Sequence, residues 1–218
     1  MSLKIIEPPK LVAHRIAESE HDPIEAALYE YFLSGNGLFV RAKRREFSVS
    51  LPLNLQKIRG LPNASVGISW KRPRISKSLW WEILQHARNK DASSDFKEEV
   101  YLIYWDDISQ TWNWKAAGRN SSSVTTIADD SLPEYSECCI ELHTHPPGAN
   151  HFSSADDRDE LGKFRIFAIL TDVHEQPKIR FRCGVYEYLV PIPAAWVGEM
   201  PDGIIDLNEI EAIVEMLS

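Results

Sequence analysis

Cysteine is scarce in this chain of 218 residues, which contains only Cys138, Cys139 and Cys183. An odd number that includes an adjacent pair does not make a disulfide framework, so a fold cross-linked by disulfides is not predicted. The first ten residues, MSLKIIEPPK, lack the apolar run of a secretory leader. Both features favour a reducing compartment, and we expect the protein to be cytoplasmic.

Long apolar runs and long basic blocks are also missing. No stretch approaches the roughly 20 apolar residues that cross a bilayer, so no membrane association is expected. The net charge is −8, and the basic cluster RAKRRE at residues 41–46 is short enough to be a solvated strand face. Nucleic-acid binding is therefore disfavoured. The hydrophobic share of 44% and charged share of 26% are those of a globular protein.

The first 70 residues are predicted to form an α+β extension. The stretch HDPIEAALYEYFLSG at residues 21–35 has helical spacing of apolar side chains, with Asp22 as cap and Pro23 at the first helical position. The stretch at residues 37–53 alternates enough for one or two strands. The turn-rich stretch at residues 61–75 predicts a boundary with the next domain.

The rest of the chain predicts an α/β arrangement with a mixed or mostly antiparallel sheet. Residues 71–195 are expected to form the main domain and residues 196–218 a helical tail. The helices are predicted at residues 75–89, 156–164 and 206–218, the last with a capping box from Asp206 and Glu209. The strands are predicted at residues 98–107, 111–118, 138–145, 165–170, 178–186 and 187–192.

Four polar residues suggest a metal site, namely His143, His145, Ser153 and Asp156. His143 and His145 lie two apart on a predicted strand, so both side chains point to the same face and can reach one ion. Pro146, Pro147 and Gly148 favour a turn that brings the following helix back over this strand. Asp156 can then act as a third ligand, with the Ser153 hydroxyl beside it. Ser-x-x-Asp before a helix is also an ordinary capping pattern, so the spacing of all four residues carries the hypothesis.

The stretch HTHPPGANHFSSAD resembles the JAMM motif, His-x-His-x7-Ser-x2-Asp, of the Mov34/MPN/PAD-1 (JAB) zinc metalloproteases. The longer stretch from Glu141 to Leu170 is also similar to a bacterial branch, protein A of PRTRC-type gene systems. The resemblance implies an MPN/JAB-like, cytidine-deaminase-like α+β fold for residues 71–195, with a mixed sheet flanked by helices.

The resemblance also implies a set of roles. Zn²⁺ is held by His143, His145 and Asp156 with water as the fourth ligand, and an upstream glutamate acts as general acid/base. Ser153 donates a hydrogen bond to the developing oxyanion. Glu99 followed by Val100 best matches the start of the family's strand, so Glu99 is preferred over Glu98.

Other residues near this motif have less specific patterns. Glu141 is a rival for the glutamate, but its own strand would hold it beside the ligands. His151 is expected to be a solvent-facing loop residue. A structural zinc on Cys138 and Cys139 is disfavoured by their spacing, and buried small hydrophobes are expected. The carboxylates Asp157, Asp159 and Glu160 are expected to favour the N-terminus of the short helix.

The expected function is that of a zinc-dependent metallo-isopeptidase or peptidase. Its expected partner is a protein or peptide substrate, and the resemblance implies the C-terminal tail of a ubiquitin-like or sulfur-carrier protein. Two alternatives stay open: a non-catalytic MPN-fold protein–protein interaction module, and a different zinc hydrolase such as a deamidase. Metal content separates the first alternative from an enzyme, and product analysis separates the second. The sequence contains no signal for the oligomeric state.

Overall fold

The computed structural model describes residues 10–90, 97–119 and 127–209. The chain divides into two compact units, Met1–Arg72 and Pro73–Ser218. Most of the helix predicted at residues 206–218 lies outside the described residues, and residues 207–209 are helical. Within the described ranges, every helix is too short or too polar to cross a membrane.

The first unit contains a five-stranded sheet. Its strands follow one another in space as they do in sequence, with the first pair parallel and the others antiparallel. Phe32 and Phe39 pack with Ala17 and Ala64 in a buried cluster. The strands are β1 (Val12–Ile16), β2 (Tyr29–Ser34), β3 (Gly37–Lys43), β4 (Phe47–Leu55) and β5 (Gly67–Trp70).

The prediction of a helix at residues 21–35 is wrong, because residues 29–34 form strand β2. Burial alternates along this strand, and Ser34 pairs with Gly37 across a two-residue turn. Such a turn ties adjacent strands into a hairpin. Asp22 does not cap a helix here, since its carboxylate accepts hydrogen bonds from the backbone N–H groups of Glu18 at 2.8 Å and Ser19 at 3.1 Å. The apolar residues of this aromatic-rich stretch fit both a helical and a strand periodicity, and pairing with a neighbouring strand determines which structure forms.

The second unit is built around a mixed sheet in the spatial order β13-β12-β11-β10-β6-β7, with β14 beside β12. Among the strands described for this sheet, the β10–β11 and β12–β14 pairs are parallel and the others antiparallel. The strands are β6 (Val100–Asp106), β7 (Thr111–Ala116), β8 (Gly118–Arg119), β9 (Ile127–Ala128), β10 (Ile140–Thr144), β11 (Lys163–Thr171), β12 (Lys178–Tyr186), β13 (Tyr188–Ile192) and β14 (Ile205–Asp206). The helices are α1 (Lys77–Lys90), α2 (Pro133–Glu137), α3 (Ser154–Glu160) and α4 (Ala194–Val197).

These elements agree with the α+β architecture predicted from the sequence. The helix α1, the β6–β7 hairpin and the histidine strand β10 all lie where the sequence patterns indicated. The parallel β10–β11 pair lets α3 cross from one strand to the next on a single face of the sheet. The mixed sheet therefore combines this crossover and the short parallel β12–β14 pair with antiparallel strand pairs.

The two faces of the sheet differ in polarity. Leu142 lies opposite Tyr101 on one side and Ala168 on the other, and this face is apolar. His143, one residue later, points to the opposite face, where Arg182 and Arg180 also lie by the register. We call these the core face and the histidine face.

Helix α1 covers the core face. Its buried side chains recur with helical spacing and include Trp80 and Ile83. The Trp80 ring meets the edge of Phe181 at 5.6 Å between centroids, and His86 Nδ1 lies 3.0 Å from the Tyr101 hydroxyl. Each large apolar side chain buried in this layer contributes about 1.5–3 kcal/mol.

Ile83→Ala tests the importance of this layer. Ile83 is 1% exposed, so its truncation leaves a cavity and lowers the free energy of unfolding by about 2–5 kcal/mol. Urea denaturation followed by tryptophan fluorescence measures the change. Asn89→Ala, an exposed position on the same helix, is the control and should change stability by less than about 0.5 kcal/mol. Equal midpoints for the two variants would contradict the packing role of α1.

Candidate metal centre

Strand β10 lies in the middle of the sheet, between β6 and β11, and it carries His143, while His145 directly follows its last residue. Their side chains are largely buried, with 12% of His143 and 6% of His145 exposed. The two rings lie 5.1 Å apart between centroids and are tilted by 54°. The strand continues its hydrogen bonding to the second histidine, because His145 N donates to Leu170 O at 2.9 Å. Both imidazoles are therefore fixed on one rigid surface.

The loop after β10 turns the chain back over the histidines. Gly148 has a φ of 82°, a conformation that favours glycine, and its N–H donates to Asp172 Oδ1 at 2.8 Å. The Thr171 hydroxyl donates to Pro146 O at 2.9 Å. These bonds tie the proline turn to the end of β11 and direct the chain into α3.

Helix α3 supplies the third candidate ligand, Asp156. Ser153 is the N-cap: its hydroxyl accepts from Asp156 N at 3.2 Å, and its N–H donates back to Asp156 Oδ2 at 2.5 Å. Asp156 Oδ1 lies 3.8 Å from His143 Nδ1, and Oδ2 lies 3.5 Å from His145 Nε2. One ligand atom from each of the three residues lies within 4.8 Å of the others, and these residues are the one group in the described chain that could hold a metal ion.

Burial and neighbouring groups shift the pKa values of all three residues. Burial lowers the pKa of His143 to about 4, so its imidazole is neutral near pH 7 and has a lone pair to donate. Burial acts the same way on His145, but Asp156 and the charge of Glu98 outweigh it and raise the pKa of His145. Burial disfavours the carboxylate of Asp156, yet bonds to His145 and Ser153 and the charge of His143 keep its pKa lowered. Two imidazoles and an ionised carboxylate therefore meet at one point.

The orientation of His145 is fixed by the loop that follows it. Its Nδ1 lies 3.2 Å from Ala149 O, a distance at which the protonated nitrogen donates to the carbonyl. In the neutral, metal-binding form of the ring, the other nitrogen, Nε2, carries the lone pair and faces Asp156. A backbone carbonyl on the far nitrogen is a usual way of setting the tautomer of a metal-binding histidine.

Glu99, the residue expected to act as general acid/base, pairs with Thr144. Thr144 N donates to Glu99 O at 2.9 Å, and Glu99 N donates to the Thr144 hydroxyl at 2.9 Å, so these two residues are partners across β6 and β10. Thr144 alternates with the histidines and points to the core face. Burial, and then the Glu99 charge, raise the pKa of Tyr101 on that face.

The carboxylate that shares the histidine face is Glu98. Val100 lies opposite His143, and Glu98 is two residues before Val100, which brings it opposite His145. Glu98 is 8% exposed, and its charge contributes to the raised pKa of His145. The acidic side chain that shares the face of the histidines is thus Glu98, the alternative to Glu99 in the sequence.

The remaining sequence candidates lie outside the ligand group. Glu141 accepts a hydrogen bond from Arg165 Nη1 at 2.8 Å, so its carboxylate is paired with the neighbouring strand β11. His151 is exposed in the loop. Cys138 and Cys139 are buried, reduced cysteines, as expected of small apolar residues.

Sequence reasoning missed the buried ion pair beside His143. Glu160 was expected to favour the N-terminus of the short helix, but it ends α3 and is 2% exposed. Arg182 Nε lies 2.6 Å from its Oε2. Burial raises the pKa of Glu160 to about 8, although Arg182 acts to lower it. A divalent cation between His143 and Asp156 would lower the pKa of Glu160 further. The sequence does contain a signal for this ion pair, because Arg180 and Arg182 alternate with apolar residues in one strand and such buried arginines need acidic partners.

Comparison with known proteins agrees with this geometry. The family model described as prokaryotic homologs of the JAB domain matches residues 76–184, half of the chain. The chain belongs to this family. The match begins beside α1 and ends in β12, so it includes the prokaryotic JAB elements that carry all three candidate ligands. No curated protein matches the chain.

The donor set of this prokaryotic JAB domain fits a catalytic metal ion. Two imidazole nitrogens and one carboxylate oxygen are the ligands that an open zinc site takes from a protein, with a fourth position left for water or substrate. JAB-family domains include zinc metallo-isopeptidases, and the His143–His145–Asp156 group is present here. The residues could therefore hold a metal ion in the manner of JAMM proteins.

We expect the purified protein to bind one divalent ion per chain and His145→Ala to lose it. Removal of His145 leaves two ligands, too few for an open tetrahedral site. Equilibrium dialysis against zinc, followed by plasma mass spectrometry, measures the stoichiometry. His151→Ala is the matched control, because that histidine is exposed and outside the group. Unchanged zinc content in His145→Ala would contradict the assignment.

Proposed function

We propose that this prokaryotic JAB domain is a zinc-dependent peptidase or isopeptidase. The observation that carries the proposal is the convergence of His143, His145 and Asp156 with a fourth residue, the acidic Glu98, on the same face of the sheet. A ligand group alone can be structural. A carboxylate that shares the buried face but lies outside the group of ligands adds what amide hydrolysis needs, a base that can move a proton.

The three ligands and Glu98 would divide the chemistry between them. Bound zinc would supply a water of lowered pKa and polarise the scissile carbonyl. The Glu98 carboxylate would accept a proton from the attacking water and later give it to the leaving amine. Its low exposure, 8%, keeps bulk water from competing for this proton. Such proton transfer contributes typically about 10²–10⁴-fold to the rate.

Ser153 has two compatible tasks. Its oxygen accepts the Asp156 N–H as helix cap, while its own hydroxyl proton stays available for donation. We propose that this proton goes to the oxygen that gains charge as the carbonyl is attacked. The capping box places the hydroxyl next to Asp156, so the cap and the donor can be the same group.

The proposed substrate is a protein with an extended tail. The support for this choice is family membership, since the JAB family includes zinc metallo-isopeptidases. We propose the C-terminal tail of a ubiquitin-like or sulfur-carrier protein as the substrate class. Release of ammonia without chain cleavage would instead identify a deamidase, and zinc binding without any product would identify an interaction module.

Glu98→Gln should abolish cleavage while the ion is retained. The amide keeps the size of the side chain but cannot accept the proton, so the rate should fall about 10²–10⁴-fold. The assay uses zinc-loaded protein and a panel of ubiquitin-like proteins extended by a short peptide at the C-terminus, with mass spectrometry of the products.

Glu99→Gln is the matched control, one residue away on the other face, and should cleave at the rate of the unmodified protein. Loss of activity in Glu99→Gln with normal activity in Glu98→Gln would restore the original assignment. Loss of zinc in Glu98→Gln would make Glu98 a ligand rather than a base.

Paired substitutions at Ser153 separate capping from catalysis. Alanine removes both the hydroxyl and the cap, whereas glycine removes the hydroxyl but costs the helix only a few tenths of a kcal/mol. If the hydroxyl donates to the oxyanion, both variants lose about 10²–10³-fold in kcat with zinc still bound. Full activity in Ser153→Gly together with reduced zinc binding in Ser153→Ala would leave Ser153 as a cap alone. The same peptide-cleavage assay and a zinc titration measure both effects.

A further inference from the structure

Two buried polar atoms face each other beside the ligand group. His143 Nε2 and Glu160 Oε1 are 3.8 Å apart, and neither has a hydrogen-bond partner within residues 10–90, 97–119 and 127–209. Buried polar atoms in native proteins are nearly always hydrogen-bonded. The other ring nitrogen of His143, Nδ1, faces Asp156 Oδ1. The imidazole thus lies between two carboxylates, one on each side.

Arg182 fixes the carboxylate of Glu160 in this position. Its Nε donates to Glu160 Oε2 at 2.6 Å, and its Nη1 donates to Asp157 Oδ1 at 2.6 Å. The guanidinium also lies over the Phe152 ring, 3.7 Å from its centroid. Because Arg182 engages Oε2, the oxygen left to act is Oε1, the one directed at His143.

The geometry points to Glu160 as a positioning residue for His143. We propose that its Oε1 accepts a hydrogen bond from one ring N–H of His143 while the nitrogen facing Asp156 holds the ion. This inference rests on the proposed metal centre. Its physical basis is that a metal-binding imidazole must carry its proton on the far nitrogen, where a buried carboxylate selects that tautomer and orients the ring.

Glu160 is not proposed as a fourth ligand. Within the described chain, the residues whose ligand atoms come together are His143, His145 and Asp156, and Glu160 does not join them. Its carboxylate lies across the ring of His143 from Asp156, on the side of Arg182. The two histidines therefore have matching arrangements, with Ala149 O behind His145 and Glu160 behind His143.

Zinc affinity of Glu160→Gln tests the proposal without reference to catalysis. Glutamine keeps the volume but has one oxygen, which Arg182 would engage, so an NH₂ group would face the ring N–H. We expect zinc affinity, measured by competition with a chelating dye, to fall about 10–100-fold. Asp159→Asn is the matched control, because Asp159 is an exposed carboxylate on the same helix, and it should bind zinc as the unmodified protein does.

Imidazole NMR of zinc-loaded, ¹⁵N-histidine-labelled protein supplies a readout that a general structural role would not move. In the unmodified protein the far ring N–H of His143 should be protected from exchange with water, and in Glu160→Gln this protection should be lost. If the single variant does not fold, Glu160→Gln with Arg182→Gln removes both charges of the pair together and should show the same weakened binding.

The outcomes separate this inference from the proposed function. Unchanged zinc affinity and an unchanged His143 signal in Glu160→Gln would overturn the inference and leave the function intact. Loss of one protein ligand in Glu160→Gln, counted by X-ray absorption, would overturn it by making Glu160 a ligand. Weakened binding in a protein that cleaves no substrate would support the inference and reject the function. A protein that binds no zinc would reject both.

Discussion

The site depends on the two-residue alternation of strand β10, which is buried on both sides. Ile140 and Leu142 point into the apolar layer under α1, while Glu141 and His143 point to the opposite face. Neighbours on both edges fix this register, because a shift by one residue would turn the histidines into the core and expose leucine to charge. The apolar packing that stabilises the domain therefore also holds the ligands in place, and the two cannot vary independently.

A sheet with one charged face has to pair its charges locally. Arg165 and Arg182 are 8% exposed, and each donates to a carboxylate, Glu141 and Glu160 respectively. Removing one partner of such a pair leaves an uncompensated buried charge, which is strongly destabilising. The pairs therefore determine where each carboxylate lies, and α3 is held over the histidine face by this requirement as much as by apolar contact.

Local signals are sufficient to predict most of the second unit, and non-local strand pairing determines the features that they leave open. The spacing of Trp80 and Ile83 predicted α1, and the intervals between His143, Ser153 and Asp156 predicted the ligand group, because each pattern lies within a few turns or one loop. The prediction of a helix at residues 21–35 is wrong because the apolar residues fit both a helical and a strand period. Pairing with β3 makes residues 29–34 a strand. Glu98 and Glu99 are adjacent, so only the pairing of β6 with β10, some forty residues away, determines which one faces the histidines.

The short helix α3 links this metal centre to the stability of its surroundings. Seven residues are too few to be helical alone in water, so its capping box and the contacts of Asp157 and Glu160 with Arg182 hold it in place. Asp156 belongs to both systems, since its carboxylate accepts the Ser153 N–H and faces both histidines. An ion held by Asp156 would bind the folded helix and not the unfolded one, and would stabilise α3 accordingly. Helix formation and ion binding are therefore thermodynamically linked through Asp156.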